Sequence, residues 1–315
     1  MLRKVVILDD YQDVARGFAD WDGLGVKVEA ITEHIGDRSA LADRLRGADV
    51  VVAMRERTAF DAATLEALPD LRLLVTTGER NAAIDLDAAR RLGVTVCATG
   101  YVSEPTSEHA WALILAAQRN LPVEFADVRN GGWQRTVGTG LAGKTLGLLG
   151  LGRLGSRMAR IGLAFEMDVI AWSQNLTADR AAEHGVRAVS KSELFEQSDV
   201  LSIHLVLSRR TRGLVGAAEL ESMKPSALLV NTSRGPIVDE EALLAVLLAH
   251  RIAGAALDVF TVEPAPADHP FRSLDNVVMT PHLGYVTREQ YRIFFADAVA
   301  DIRAYAAGQP VRLLT

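Results

Sequence analysis

KTLGLLGLGRLGSRMARIGLAFEMDVIAWS, residues 144–173, is the stretch whose reading decides the fold of this chain. Thr145–Leu149 is a short apolar run of the length expected for a buried parallel strand. Gly150, Gly152 and Gly155 follow at G-x-G-x-x-G spacing, and a helical pattern then sets Met158, Ile161 and Phe165 on one side. A second apolar run, Asp168–Trp172, closes a βαβ unit. The three glycines have separate jobs. Gly150 permits a tight turn, Gly152 lets a pyrophosphate approach the backbone, and Gly155 lets helix and strand pack closely. The start of the helix offers N–H groups and the positive end of its dipole to phosphates. Glycine-rich turns are common by themselves, but between a strand and a helix the spacing is a dinucleotide fingerprint.

The chain has 315 residues, more than one hydrophobic core usually spans, so two domains are expected. Apolar residues make up 49% and charged residues 23%, an ordinary globular balance. A net charge of −6 argues against nucleic acid or an anionic membrane as the main partner. The single cysteine, Cys97, rules out an internal disulfide and fits a reducing compartment. The opening MLRKVVILDD has a signal-like start, but Asp9 and Asp10 interrupt its apolar run, so it reads as a first strand. With no apolar run long enough to span a bilayer, a cytoplasmic protein is expected.

Before the fingerprint, strand and helix alternate. Val5–Leu8, Val26–Ala30, Val50–Met54, Leu71–Thr76 and Val94–Val96 read as strands of a small parallel sheet, with helices at Arg38–Leu45 and Asp61–Ala67. Residues 106–120 carry a strongly helical apolar stripe, with Thr106 as the expected cap. The glycine-rich stretch Asn130–Gly143 then leads into the dinucleotide unit. After Ser173, strands are expected at Val186–Val189, Val200–His204, Leu228–Asn231, Gly254–Asp258 and Val277–Met279, and helices at 177–184, 191–197, 216–223 and 239–250. A last helix, from Arg288 to Ala307, is long enough to return to the first domain. The expected class is therefore α/β, with a Rossmann-like domain at 105–286 inserted into a flavodoxin-like substrate domain made of 1–104 and 287–315. The cleft between the two is the expected place for chemistry.

Three polar residues lie beyond the glycine loop near strand ends, where open α/β sheets place their sites. Arg234 sits in LLVNTSRGPIVDEEAL, Glu263 in ALDVFTVEPAPADHPF and His282 in VVMTPHLGY. The flat guanidinium of Arg234 suits two-point binding of a carboxylate beside a carbonyl. Taken singly, each residue also reads as an ordinary loop side chain. Together, the segments that carry them resemble the D-isomer-specific 2-hydroxyacid dehydrogenase family. The likeness runs through GLLGLGRLG, SDVLSIHL, MKPSALLVNTSRGPIVDEEAL, GAALDVFTVEP and NVVMTPHLG, and through TTGERNAAIDLDAARRLGVTV and SEHAWALILAAQRNL in the first domain.

This resemblance implies a homodimer that transfers hydride between NAD or NADP and a small 2-oxo or 2-hydroxy acid. It makes Arg234 the holder of the acid's carboxylate and carbonyl, His282 the general acid/base and Glu263 its hydrogen-bond partner. It also implies a cofactor set of Gly150, Gly152, Arg153, Leu154, Gly155, Ser173, Gln174, His204, Thr211, Thr232, Asp258 and Gly284. Asp258 reads more as a support for its loop than as a chemical group. The implied substrate set is Arg55, Gly78, Glu79 and Arg80, with Arg234 and His282. The chemistry is consistent: hydride reduction of a ketone builds negative charge on oxygen, so a cation and a proton donor belong beside it.

Three departures from the family pattern bear on function. Ser173 stands where an Asp often binds the ribose hydroxyls, with Gln174 and Asn175 following. The bar to a 2′-phosphate is thereby removed, yet the nearest downstream arginine is Arg180, while Arg153 lies inside the glycine loop. In the first domain a frequent G-x-G is here Gly78-Glu79-Arg80, where the amides of Glu79 and Arg80 and the Arg80 charge could serve. Arg55 and Arg57 end another strand and could reach the same cleft. Val206 replaces a common Pro, which affects loop stiffness.

The length disfavours forms of phosphoglycerate dehydrogenase with an appended regulatory domain. Glu263 disfavours formate dehydrogenase relatives, which lack a Glu partner for the His. The alternative function is a nucleotide-sensing corepressor-like protein of the same fold, separable by turnover. The seven histidines show no metal-ligand spacing, so no metal is expected.

Overall fold

The computed structural model describes residues 2–315. In chain order its elements are β1 Lys4–Ile7, β2 Lys27–Ala30, α1 Arg38–Arg44, β3 Val50–Ala53, α2 Ala62–Glu66, β4 Leu73–Thr76, α3 Leu86–Arg91, β5 Thr95–Ala98, α4 Glu104–Gln118 and α5 Leu121–Arg129. They continue with β6 Thr145–Leu149, α6 Arg153–Ala164, β7 Asp168–Trp172, α7 Ala178–Ala182, β8 Arg187–Ala188, α8 Lys191–Gln197 and β9 Val200–Ile203. The last are α9 Ala217–Ser222, β10 Leu228–Asn231, α10 Glu240–Leu248, β11 Gly254–Leu257, β12 Val277–Met279 and α11 Arg288–Ala306. The chain divides into two compact units, Met1–Val102 with Val286–Thr315, and Ser103–Tyr285.

In the first unit, VVI, VVV and LLV runs fill the middle strands β1, β3 and β4 and are at most 1% exposed, as expected of a parallel sheet covered on both faces. The sheet order is β2-β1-β3-β4-β5, all parallel, which is the flavodoxin-like arrangement. Asp37, Asp61 and Asp85 each cap a helix of this unit by accepting from the backbone N–H three residues on, so α1, α2 and α3 start where the carboxylates stand. The last helix, α11, packs against β4, and its Phe295 meets Trp21 and Phe18 in a ring cluster.

The second unit is a seven-stranded parallel sheet ordered β12-β11-β10-β9-β6-β7-β8. Read from β8 to β11 it is the doubly wound dinucleotide order, with β12 added at the far edge. Strand order reverses between β6 and β9, where open sheets hold their ligands. Two apolar clusters lie in this unit, one around Phe195 and Leu229 and one around Trp111 and Met158.

The structure departs from the sequence expectation at two places and adds one helix. Thr106 does not cap α4: the helix begins two residues earlier at Glu104, with Pro105 in its first turn, and Thr106 is buried inside it. Phe165 is not on the buried side of α6. It follows the helix as its exposed C-cap and leans on the Trp111 ring 5.0 Å away. The buried face of α6 is instead Gly155, Met158, Ala159 and Gly162, small enough for the helix to lie against the sheet. Residues 121–129, unassigned from sequence, form α5.

Candidate active site

The glycine loop joins β6 to α6 as the fingerprint requires. Gly150 has φ +106°, a conformation that side-chain-bearing residues rarely adopt. A Cβ on Gly155 would stand 2.1 Å from the Gly150 carbonyl oxygen, so only glycine lets the helix start this close. A Cβ on Gly152, by contrast, would meet nothing within 4 Å. That open backbone, at the N-terminus of a 12-residue helix, suits a bound pyrophosphate. Arg153 and Leu154 form the first turn of α6, and Ser173 and Gln174 follow directly on β7.

Across the switch point, His204 follows β9, and its carbonyl lies 2.7 Å from where a Gly150 Cβ would be. Burial pushes the His204 imidazole down to about 4, and its Nε2 lies 2.8 Å from Ser202 Oγ. Thr211 folds its own loop, donating to the Val206 carbonyl and accepting from Ser208 N–H at 2.8 Å. Val206 itself is exposed. Thr232, just past β10, has a buried hydroxyl oxygen with no hydrogen-bond partner among the described residues. An orphaned buried hydroxyl is costly unless a ligand completes it, so Thr232 fits a place in the cofactor set.

Arg234, Glu263 and His282 follow three neighbouring parallel strands, β10, β11 and β12, whose ends align at Asn231, Leu257 and Met279. Asn231 shapes the first loop, accepting from Ser233 N–H at 3.0 Å and donating to the Arg234 carbonyl at 3.1 Å. Gly235 then lies so close to Phe260 that a Cβ would fall 2.1 Å from its carbonyl carbon. The Phe260 N–H donates to Glu263 Oε1 at 2.9 Å, and Glu263 Oε2 is 2.5 Å from His282 Nδ1. A continuous chain of contacts therefore links the arginine loop to the histidine. Both members of the His282–Glu263 pair are mostly shielded from solvent, with 14% and 22% of their side chains exposed. The Tyr285 ring stands edge-on to His282 at 5.5 Å.

Asp258 is fully buried and supports the histidine loop. It accepts from Leu283 N–H at 2.7 Å, Gly284 N–H at 2.8 Å and the Thr280 hydroxyl at 2.6 Å, with His109 Nε2 at 3.2 Å. Burial pushes its carboxyl up, but the hydrogen bonds and charge of His109, with Thr280 and His282, outweigh this and hold it below the usual carboxylate range. Gly284 meets Asp258 in this turn.

The remaining substrate candidates lie in the first unit. Arg55 has φ +52° and extends over Gly78, whose missing Cβ would fall 1.7 Å from Arg55 Nη1. Arg55 also donates to the Thr77 carbonyl and lies over the Tyr101 ring at 5.7 Å. Gly78, at φ +89°, gives its N–H to Thr99. Glu79 and Arg80 follow it on the surface. Arg57 stacks over Tyr11 instead, 5.5 Å from the ring. Asn231, Thr280 and His109 escaped the sequence reading. An Asn closing a strand is a turn signal that could have exposed the first; the other two act only through distant partners.

Among the described residues, no group of three or more His, Cys, Asp or Glu could hold a metal, and no helix is long and apolar enough to cross a membrane.

A doubly wound sheet with a glycine loop at its switch point, and an Arg, a Glu and a His in the loops after adjacent strands, is the arrangement of a dinucleotide-binding domain. Residues 111–284 match the model of the D-isomer specific 2-hydroxyacid dehydrogenase NAD binding domain, and the chain belongs to that family. It is 42% identical over 260 residues to a glyoxylate reductase of Aeropyrum pernix, covering 79% of this chain and 78% of that one. It is 36% identical over 312 residues to a D-3-phosphoglycerate dehydrogenase of Archaeoglobus fulgidus, where it spans 98% of its own length but 58% of the relative's. A phosphoglycerate oxidoreductase structure from Vibrio cholerae superposes with a TM-score of 0.94 at 39% identity, covering 98% of this chain and 100% of that one.

Proposed function

We propose that this protein is a D-2-hydroxyacid dehydrogenase that reduces the carbonyl of a small 2-oxo acid with NADH or NADPH. The observation that carries the reading is the 2.5 Å pairing of His282 Nδ1 with Glu263 Oε2, in the loops that follow β12 and β11, beside the strand that leads to Arg234. Glu263 commits Nδ1, so the proton exchanged with substrate is carried on Nε2. The carboxylate also stabilises the charge of the protonated ring. Arg234 holds the acid's carboxylate and carbonyl with its planar fork and offsets the charge that grows on oxygen. The nicotinamide supplies the hydride when bound.

The second unit takes the dinucleotide, with Gly150, Gly152, Arg153, Leu154 and Gly155 at the pyrophosphate, and Ser173 and Gln174 at the ribose. His204, Thr211, Thr232, Asp258 and Gly284 complete that set, Asp258 through the loop it supports. Arg55, Gly78, Glu79 and Arg80, on the first unit, are the further substrate candidates. Ser173 puts no negative charge at the ribose, which supports acceptance of both cofactors. A homodimer is supported by an apolar arm on α5 and the segment after it, where Phe125, Val128, Trp133 and Val137 are exposed, Val137 at 95%. The single cysteine, Cys97, is buried and in no disulfide, which supports a cytoplasmic location. A spectrophotometric screen of glyoxylate, hydroxypyruvate and larger 2-oxo acids with NADH and NADPH tests the reading. Oxidation of either cofactor dependent on a 2-oxo acid is expected; none across the series, with the cofactor shown to bind, refutes it.

A further inference from the structure

We propose that His109 is a positioning residue for the general acid, acting on His282 through Thr280 and Asp258. The kinetic part of this role rests on the dehydrogenase reading above. His109 lies on α4, far in sequence from the histidine loop, with Nε2 2.9 Å from Thr280 Oγ1. Thr280 Oγ1 in turn lies 2.6 Å from Asp258 Oδ1. An ionised carboxylate only accepts, so the one hydroxyl hydrogen of Thr280 goes to Asp258. The hydroxyl must then accept from His109, which places a hydrogen on Nε2. The donors run from His109 to Thr280 to Asp258, and the same His109 Nε2 lies 3.2 Å from Asp258 Oδ1, so both residues bear on one carboxylate.

Asp258 uses the same carboxylate to grip the N–H groups of Leu283 and Gly284, the two residues directly after His282. His282 itself has φ +55°, a conformation that residues with a Cβ rarely adopt and that its surroundings must hold. The ring is thus fixed from two sides: Glu263 holds the side chain and Asp258 the backbone turn. The second clamp is complete only while Thr280 points its hydrogen at Asp258, and His109 enforces that orientation. Helix α4 also touches the turn directly, since a Cβ on Gly284 would come within 3.5 Å of Thr106 Cγ2. The titratable groups set against His282 and its turn are Glu263, Tyr285 and Asp258, with His109 beyond Asp258 and Arg234 in the loop after β10.

The test compares His109→Leu, which removes the donor, with His109→Gln, whose amide N–H reaches nearly the same place. In His109→Leu, kcat for reduction is expected to fall roughly tenfold or more, as for a displaced catalytic group. KM for the 2-oxo acid and Kd for NADH should stay within about twofold, since neither ligand loses a contact. His109→Gln should restore most of kcat. Thr280→Val should lower kcat in the same direction, and the double variant should lose less than the product of the two single losses, because both residues act through Asp258. An independent arm needs no turnover. Peptide-resolved modification by diethylpyrocarbonate at fixed neutral pH should label His282 several-fold faster in His109→Leu and Thr280→Val, but at the wild-type rate in His109→Gln. That pattern in a protein that reduces no 2-oxo acid would sustain the clamp and refute the dehydrogenase reading. Unchanged His282 labelling in both His109→Leu and Thr280→Val, additive losses in the double variant, or a loss that Gln fails to reverse overturns the proposal. If His109→Leu does not fold, the Gln and Thr280→Val variants decide by the same criteria.

Discussion

Glu263 holds two parts of the site at once: Oε2 is 2.5 Å from His282 Nδ1, while Oε1 accepts from the Phe260 N–H at 2.9 Å. The same carboxylate therefore orients the proton donor and braces the loop that packs on Gly235, next to Arg234.

Glu263→Gln keeps that shape and removes the charge beside the protonated ring. Reduction draws its proton from His282 and oxidation returns it there, so losing the partner that orients the ring should lower kcat roughly tenfold or more in both directions. His282→Ala should lower turnover roughly 10²- to 10⁴-fold in both directions while NADH binding persists. An unchanged kcat in Glu263→Gln, with chemistry rate-limiting, would break the pairing.

Arg234→Lys keeps the charge and loses the planar two-point contact. A roughly ten- to hundredfold drop in kcat/KM is expected, the size of one lost charge-assisted hydrogen bond. NADH affinity should be nearly intact. Steady-state kinetics alongside a fluorescence titration of NADH separates the two, and unchanged kinetics would remove Arg234 from the mechanism.

Ser173→Asp should shift preference toward NADH, because a carboxylate repels a 2′-phosphate. The wild type should accept NADPH at least comparably with NADH. Absence of detectable NADPH binding to the wild type would show that the end of β7 does not decide cofactor choice as argued.

Gly152→Ala and Gly155→Ala should fail differently. The first adds a methyl group to open space, so thermal stability should hold while NADH binding weakens. The second drives a Cβ into the Gly150 carbonyl and should cost about 1–3 kcal/mol of stability. Melting curves with and without NADH report both effects; equal loss of stability in the two variants would contradict the geometry.

Asp301 predicts a pH effect on stability. Its side chain is fully buried on α11, and burial pushes its carboxyl up to about 7 although Arg312 Nε lies 3.0 Å from Oδ1. The folded state thus binds this proton more tightly than the unfolded chain, whose Asp titrates near 3.8. Stability from this group is greatest below about pH 4 and falls as pH rises through 7, by at most about 1.4 kcal/mol per pH unit. Chemical denaturation across that range should show a shallower fall in Asp301→Asn than in wild type. Parallel curves would mean that Asp301 ionises normally.

Much of the architecture is legible in local patterns. Apolar runs of four or five residues mark the strands, and the spacing of Gly150, Gly152 and Gly155 marks the nucleotide turn, because backbone conformation and burial depend on near neighbours. Element ends are less legible. Thr106 looked like a cap because its hydroxyl suits one, but Pro105 sets the first turn, and helix starts depend on which residue the tertiary fold leaves outside.

From the sequence alone come the α/β alternation, the dinucleotide loop and the identity of Arg234, Glu263 and His282 as residues worth watching. Only the tertiary structure decides how they act. Glu263 and His282 are 19 residues apart, and no propensity brings them to 2.5 Å; parallel pairing of β11 with β12 does. His109 and Thr280 are 171 residues apart and meet because α4 packs against the strands that end at the histidine loop. Hydrogen bonds are short-ranged and directional, so a sequence can name a donor, but only the folded chain determines which acceptor it reaches.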